Sequence, residues 1–251
     1  VNLRFLHLVR RNFLVWRKLM LSSLLGNLAD PLIYLVGLGF GLGAFMPRMG
    51  GVSYIAFLAG GMICYSTMNS ASFEALYSAF ARLKIQRTWE SILNAPMTVP
   101  DIVVGEWVWA GLKSSLSGTA ILLVMYGLGL AHGLRPLAAL PVVLLVGLAF
   151  AGLALVATSL ARSYDFFTYY FTLLVTPMMF VSGVFFPIAS LPAPVRVLAA
   201  VLPLSHAVAL ARAFTLGTPL QGGVLHVAVL LAYGVIGVAT AAVLVRRRLM
   251  A

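Results

Sequence analysis

Charge is what this chain has least of. Only 9% of its 251 residues are charged, against about 25% in an ordinary soluble domain, and only six are carboxylates. That scarcity excludes a water-facing surface over most of the chain. The single cysteine, Cys64, excludes an internal disulfide and a cysteine-held metal cluster. The four histidines, His7, His132, His206 and His226, are scattered without ligand spacing, so no metal site is expected. No HExxH, GxSxG or paired-carboxylate pattern occurs, and an enzyme is not expected. Apolar–polar alternation is absent from the long hydrophobic stretches, which excludes an outer-membrane barrel.

What is present is apolar surface. Hydrophobic residues make up 62% of the chain, mean hydropathy is +1.03, and several runs reach the ~20 residues that a membrane-crossing helix needs. The fold class expected is an all-α polytopic membrane protein, one transmembrane domain over residues 1–251. Six spans are expected: 21–45, 53–76, a third starting at Val103, 137–160, 166–186 and 224–245. Residues 3–20 form an interfacial helix instead. At 100° per residue Arg4, His7, Arg10, Arg11, Arg17 and Lys18 share one arc, while Phe5, Val9, Phe13, Trp16, Leu19 and Met20 face the acyl chains. Between the fifth and sixth spans, Pro192, Pro194 and Pro203 cut residues 187–223 into pieces too short to cross, which reads as re-entrant half-helices on the outer side.

Net charge of +11 points to a membrane surface and not to nucleic acid, because the cations sit beside hydrophobic runs. Thirteen of the seventeen Lys and Arg fall in the segments this topology assigns to the cytoplasm, against Arg48, Arg135, Arg196 and Arg212 outside. Both termini are therefore expected in the cytoplasm of a bacterial inner membrane.

Residues 78–101 are the longest cytoplasmic interruption. Arg82, Lys84 and Arg87 flank a short helix in which Trp89, Ile92 and Leu93 fall at i, i+3 and i+4, with Thr88 placed to cap it. An exposed stripe of this kind suits docking of a soluble partner; the other reading is a loop helix resting on its own bundle. Inside the spans, Asp30 and Lys113 lie at similar depth, and a carboxylate there costs about 2.5–3.5 kcal/mol unless it is compensated. An Asp30–Lys113 ion pair is one reading; the other is that Lys113 snorkels to lipid phosphates while Asp30 is hydrated from the cytoplasm. The overlapping GxxxG spacings at Gly37, Gly39, Gly41 and Gly43 would let a neighbouring helix approach. In the aromatic fifth span, Thr168, Tyr169, Tyr170, Thr172 and Thr176 offer hydroxyls that lipid cannot satisfy, and some of them need protein or a cavity to face.

Two nucleotide-like strings fail on context. Residues 37–44 match GxGxxA, yet no strand–turn–helix unit can form inside a membrane span. Gly111-Leu112-Lys113-Ser114 lacks the glycine directly before lysine that a phosphate loop carries. No nucleotide site is expected in this chain.

One pattern goes further. Thr176-Pro177-Met178-Met179-Phe180-Val181-Ser182-Gly183-Val184-Phe185-Phe186-Pro187, then Leu191-Pro192, then Leu202-Pro203-Leu204-Ser205-His206-Ala207 with Arg212 following, resembles the signature of type-2 ABC exporter permeases. The string from Arg87 through Trp89 and Glu90 to Pro96 resembles that family's cytoplasmic segment, and the stretch from Gly26 through Asp30 to Tyr34 is similar to its nodulation-type branch, which exports lipo-oligosaccharides. The resemblance implies a homodimer with two copies of a separate ATPase, which would bind the ATP and Mg. It implies an ATPase-coupling surface at Arg87, Trp89, Glu90, Ile92 and Leu93. It also implies a path for an amphiphilic substrate past Tyr169, Tyr170, Thr172, Thr176, Phe180 and Phe185. A polysaccharide or polyketide cargo, and a non-transporting membrane scaffold, remain open alternatives.

Overall fold

The computed structural model describes residues 3–46, 48–49 and 51–250, the side chains of Leu24, Asn27, Leu28, Asp30 and Met250 excepted. The charge-poor runs form helices, since in lipid a helix satisfies every backbone group within its own segment. Helix α1 (Phe5–Trp16) meets α5 (Val99–Gly127) through the edge of its apolar arc: Leu8 and Asn12 are buried, while Phe13 stays half exposed. Gly105 allows this, because a Cβ there would lie 2.7 Å from Leu8 Cδ2.

A short 3-10 turn, Arg17–Leu19, leads into α2 (Met20–Phe45), which carries Pro31 in its interior. Of the GxxxG glycines expected to admit a neighbour, only Gly39 does so tightly, since a Cβ there would lie 2.9 Å from Ile55 Cγ1; a Cβ on Gly37 or Gly41 would meet open space. A two-stranded turn follows, β1 (Arg48–Met49) pairing antiparallel with β2 (Val52–Ser53) in the register Arg48 opposite Ser53. Helix α3 (Tyr54–Phe73) is the bundle's centre and is buried along nearly all its length. It runs on through two π-helical turns, Glu74–Ser78 and Ala81–Ile85.

The chain then reverses at Arg87, the one described non-glycine residue with positive φ (+48°), and enters α4 (Thr88–Leu93). Thr88 does not cap this helix as expected: it sits inside the first turn with its hydroxyl on Gln86. The cap belongs to the next helix, where Thr98 and Asp101 form a reciprocal capping box and start α5 four residues ahead of the expected Val103. Helix α6 (Ala139–Leu160) packs on α11 (Gly223–Met250) almost backbone to backbone, since a Cβ on Gly152 would lie 2.7 Å from the Gly234 carbonyl. Between them run α7 (Asp165–Tyr169), a π turn (Tyr170–Val175) and α8 (Thr176–Val181). Then come α9 (Ala193–Val201) and α10 (Pro203–Thr215), bent by 83° at the intervening break.

Among the described residues, three helices are long and apolar enough to cross a membrane: Val99–Gly127, Arg135–Leu160 and Gly223–Leu249. The bent pair makes a fourth if it counts as one span, and Pro31–Phe45 and Asp165–Val181 are shorter apolar helices. The bundle has two unlike ends. At the basic end Arg4 donates to the Pro96 carbonyl at 2.7 Å, and Lys84, Arg162, Arg247 and Arg248 line one recess. At the hairpin end Ser53, His132, Arg135 and Gly217 line another, and Arg135 donates to the Ala213 carbonyl.

Two histidines that look unrelated in sequence meet at that second end. His206 and His226 approach with their Nδ1 atoms 2.6 Å apart, tying α10 to α11. His206 Nε2 faces the Ala200 carbonyl at 2.9 Å and must donate there, so in the neutral pair His206 Nδ1 accepts and His226 Nδ1 donates. No cluster of three or more metal-ligating side chains occurs among the described residues.

Candidate functional site

The strongest polar structure in the chain is a charge node near the basic end, assembled from four separate segments. Its centre is Arg82, on the second π turn. Arg82 Nε donates to Glu106 Oε1 at 2.8 Å, and its Nη2 donates both to Glu106 Oε2 and to Glu74 Oε1, the latter at 2.9 Å. A planar guanidinium matches a carboxylate in this forked way, which an ammonium cannot do. Glu106 takes two further bonds, from Trp89 Nε1 at 3.1 Å and from Asn12 Nδ2 at 3.2 Å. Glu74 also accepts from Trp109 Nε1 at 2.9 Å and from Lys113 Nζ at 2.7 Å. Arg11 extends the node outward by donating to Asn12 Oδ1.

Local structure explains why these groups meet. Each π turn fits an extra residue into the helical ladder, which lets the chain carry Glu74 and Arg82, eight residues apart, onto one side. Gly105 brings α1 close enough for Asn12 to reach the adjacent Glu106. Both carboxylates are buried, and both have every oxygen occupied by donors. That is the condition under which buried charge is tolerated. Burial works against the charge on Arg82, but Glu106 and Glu74 outweigh it and hold the guanidinium above its ordinary pKa. Arg11 is shifted the other way, by burial first and then by the neighbouring charge of Arg82.

Of the two readings of residues 78–101, an outward stripe and a helix resting on its own bundle, Trp89 follows the second. Trp89 is fully buried inside its own bundle, because its indole has an apolar body to bury and one N–H that Glu106 accepts. Ile92 and Leu93 are partly buried against the same core, leaving Arg87 and Glu90 as the exposed members of the expected coupling set. Lys113 has its partner in Glu74. The expected partner Asp30 has its side chain outside the described residues.

The six residues expected along a substrate path do not converge. Tyr169 and Tyr170 line an apolar groove of about 780 Å³ between α6, α11 and the 165–181 helix, and Tyr170 Oη lies 3.5 Å from Ser72 Oγ. Thr172, Thr176 and Phe180 lie exposed, spaced four apart along that helix. Phe185 is buried between Tyr34 and Phe180.

Sequence reasoning missed Glu74, Arg82 and Glu106 as a unit, and it named Arg212 only in the family signature and among the outer cations, without its burial or its bonds. Arg212 is buried near the hairpin end, where Nε and Nη2 donate to the Phe57 carbonyl at 3.2 and 3.0 Å, and Nη2 also reaches the Val184 carbonyl at 3.0 Å. Its guanidinium carbon lies 3.5 Å over the Phe57 ring. Gly61 makes the room, since a Cβ there would fall 2.9 Å from the Val184 backbone. The available signal was scarcity: in so apolar a chain each buried charge requires a partner, and the shortest route was to ask which.

Comparison with known proteins places residues 4–216 under the family described as ABC-2 type transporter. Three proteins called Nodulation protein J are similar over nearly the whole chain. That of Rhizobium leguminosarum bv. viciae is 52% identical, covering 99% of this chain and 96% of its own. Those of Rhizobium meliloti (strain 1021) and Bradyrhizobium diazoefficiens are each 50% identical, covering 96% of this chain and 92% of their own.

Proposed function

The chain belongs to the ABC-2 type transporter family, and from that premise we propose that it carries an amphiphile of lipo-oligosaccharide type out of the cell. It is a multi-pass membrane permease subunit and not the catalytic ATPase; nucleotide is bound by a separate ATPase partner. The observation that carries the cargo reading is the near-full-length similarity to proteins named for nodulation. The exposed strip of Thr172, Thr176 and Phe180 supports it, since two hydroxyls and a ring suit a cargo with both sugar and alkyl parts.

In this reading six segments cross the bilayer, with α2, α3 and the 165–181 helix joining the three long apolar helices. The sharply bent α9–α10 pair stays in the outer half. The basic end, with both termini, faces the cytoplasm, as the clustering of cations there favours. Two copies of the chain face each other across the path and engage two ATPases. Each ATPase docks on the exposed side of residues 78–101, at Arg87 and Glu90, with Ile92 and Leu93 behind them. Trp89 acts from inside: through Glu106 and Arg82 it joins that segment to α1, α3 and α5, so a push on the segment moves all of them together.

The test is ATP hydrolysis by the permease–ATPase complex in proteoliposomes. An N-acylated chitin-type oligosaccharide is expected to raise turnover several-fold and to accumulate in the compartment opposite the ATPase. Equal stimulation by an unacylated polysaccharide or a polyketide would redirect the substrate. A complex that forms but responds to no amphiphile would leave the scaffold reading in place of this one.

A further inference from the structure

The recess at the basic end holds four cations and no carboxylate. Lys84 comes from the second π turn, Arg162 from the turn after α6, and Arg247 and Arg248 from the last turns of α11. Its volume is about 590 Å³. Of the acids, Glu74 and Glu106 are saturated by Arg82, Lys113 and the indoles, and the exposed Asp165 accepts from Ser163 and makes no salt bridge to any of the four cations. Arg248 is held in place by the Thr158 and Ser159 carbonyls at the end of α6, at 3.2 and 3.1 Å, so this cation cannot swing away. No salt bridge among the described residues involves any of the four. Four like charges around one recess repel each other unless an anion enters it.

A second feature identifies the kind of anion. Leu160 lines both this recess and the apolar groove of about 780 Å³, and Thr240 in the groove stands four residues before Leu244 in the recess, on one face of α11. A basic pocket therefore opens directly onto an apolar channel lying along the spans. Arg247 and Arg248 lie in the last turn of the apolar helix Gly223–Leu249, which sets the pocket at the depth of lipid headgroups. We propose that this is a binding site for one anionic phospholipid, its phosphate among Lys84, Arg162, Arg247 and Arg248 and its acyl chains in the groove between α6, α11 and the 165–181 helix. The site does not depend on what the permease exports. Inorganic phosphate shares the headgroup chemistry but has no use for the groove.

Native mass spectrometry of the full-length protein tests this, after exchange into equal amounts of phosphatidylglycerol and phosphatidylcholine with matched chains. The wild type is expected to retain phosphatidylglycerol preferentially, and R162Q/R247Q to lose roughly tenfold or more of that preference. R162K/R247K should keep most of it, which separates lost charge from lost folding. Equal retention of the two lipids by the wild type would overturn the proposal. So would displacement of the lipid by millimolar inorganic phosphate, or by an uncharged lipo-oligosaccharide. If R162Q/R247Q keeps its lipid preference but releases the ATPase, the cations serve the protein partner and the lipid site is wrong.

Discussion

Two arginines reach into this bundle, Arg212 buried and Arg82 partly so, and they are neutralised in opposite ways. Arg82, at the basic end, faces two carboxylates and is bound to both. Arg212, at the hairpin end, has no carboxylate partner among the described residues; it rests on two backbone carbonyls and the face of Phe57. All six carboxylates of the chain fall in stretches that lead toward the basic end, so an arginine at the other end can recruit only partial charges. The difference separates two uses of buried charge. Around Arg82, charges of both signs from α5 and from the π turns after α3 converge with neutral donors from α1 and α4, and removing one charge leaves others exposed to the loss. Around Arg212, a single cation staples α10 to α3 and to the turn after α8, and its removal leaves only carbonyls behind.

That asymmetry sets the size of the expected effects. R82M leaves two buried carboxylates without their shared counter-charge and is expected to destabilise by about 3–5 kcal/mol, read as detergent or thermal unfolding of the purified protein. A loss under about 1 kcal/mol would mean that the node is hydrated and not a buried charge centre. R212M strands two carbonyls and is expected to cost about 1–3 kcal/mol. If R212M proves as damaging as R82M, the two ends do not differ in the way described. The smallest effect is a coupling. E74Q and K113M are expected to be non-additive by about 0.5–3 kcal/mol, as contacting residues are, whereas D30N and K113M should add. Coupling of Lys113 to Asp30 instead would restore the ion pair first expected from their matched depth.

Legibility followed the same divide. The amphipathic start, the break at Pro203 and the gathering of basic loops at one end could all be read from spacing and composition. The direction of Trp89 could not. Its i, i+3, i+4 relation to Ile92 and Leu93 says that the three share a face, but periodicity is silent on whether that face meets solvent, a partner or the chain itself. The decision came from Glu106, seventeen residues on, whose buried oxygens draw in the indole N–H. Depth did not point to the partner that the structure describes for Lys113: its ammonium meets Glu74, while the Asp30 side chain lies outside the described residues.

By itself the sequence determined helix and membrane, since these depend on local hydropathy along the chain. It also carried the family, through a run of residues around the hairpin. Tertiary structure alone decided which charges neutralise which. Electrostatic pairing depends on separations of a few ångströms between segments tens of residues apart. Two π turns, one glycine at position 105 and the crossing of α3 with α5 set those separations, and none of them is written in any single stretch.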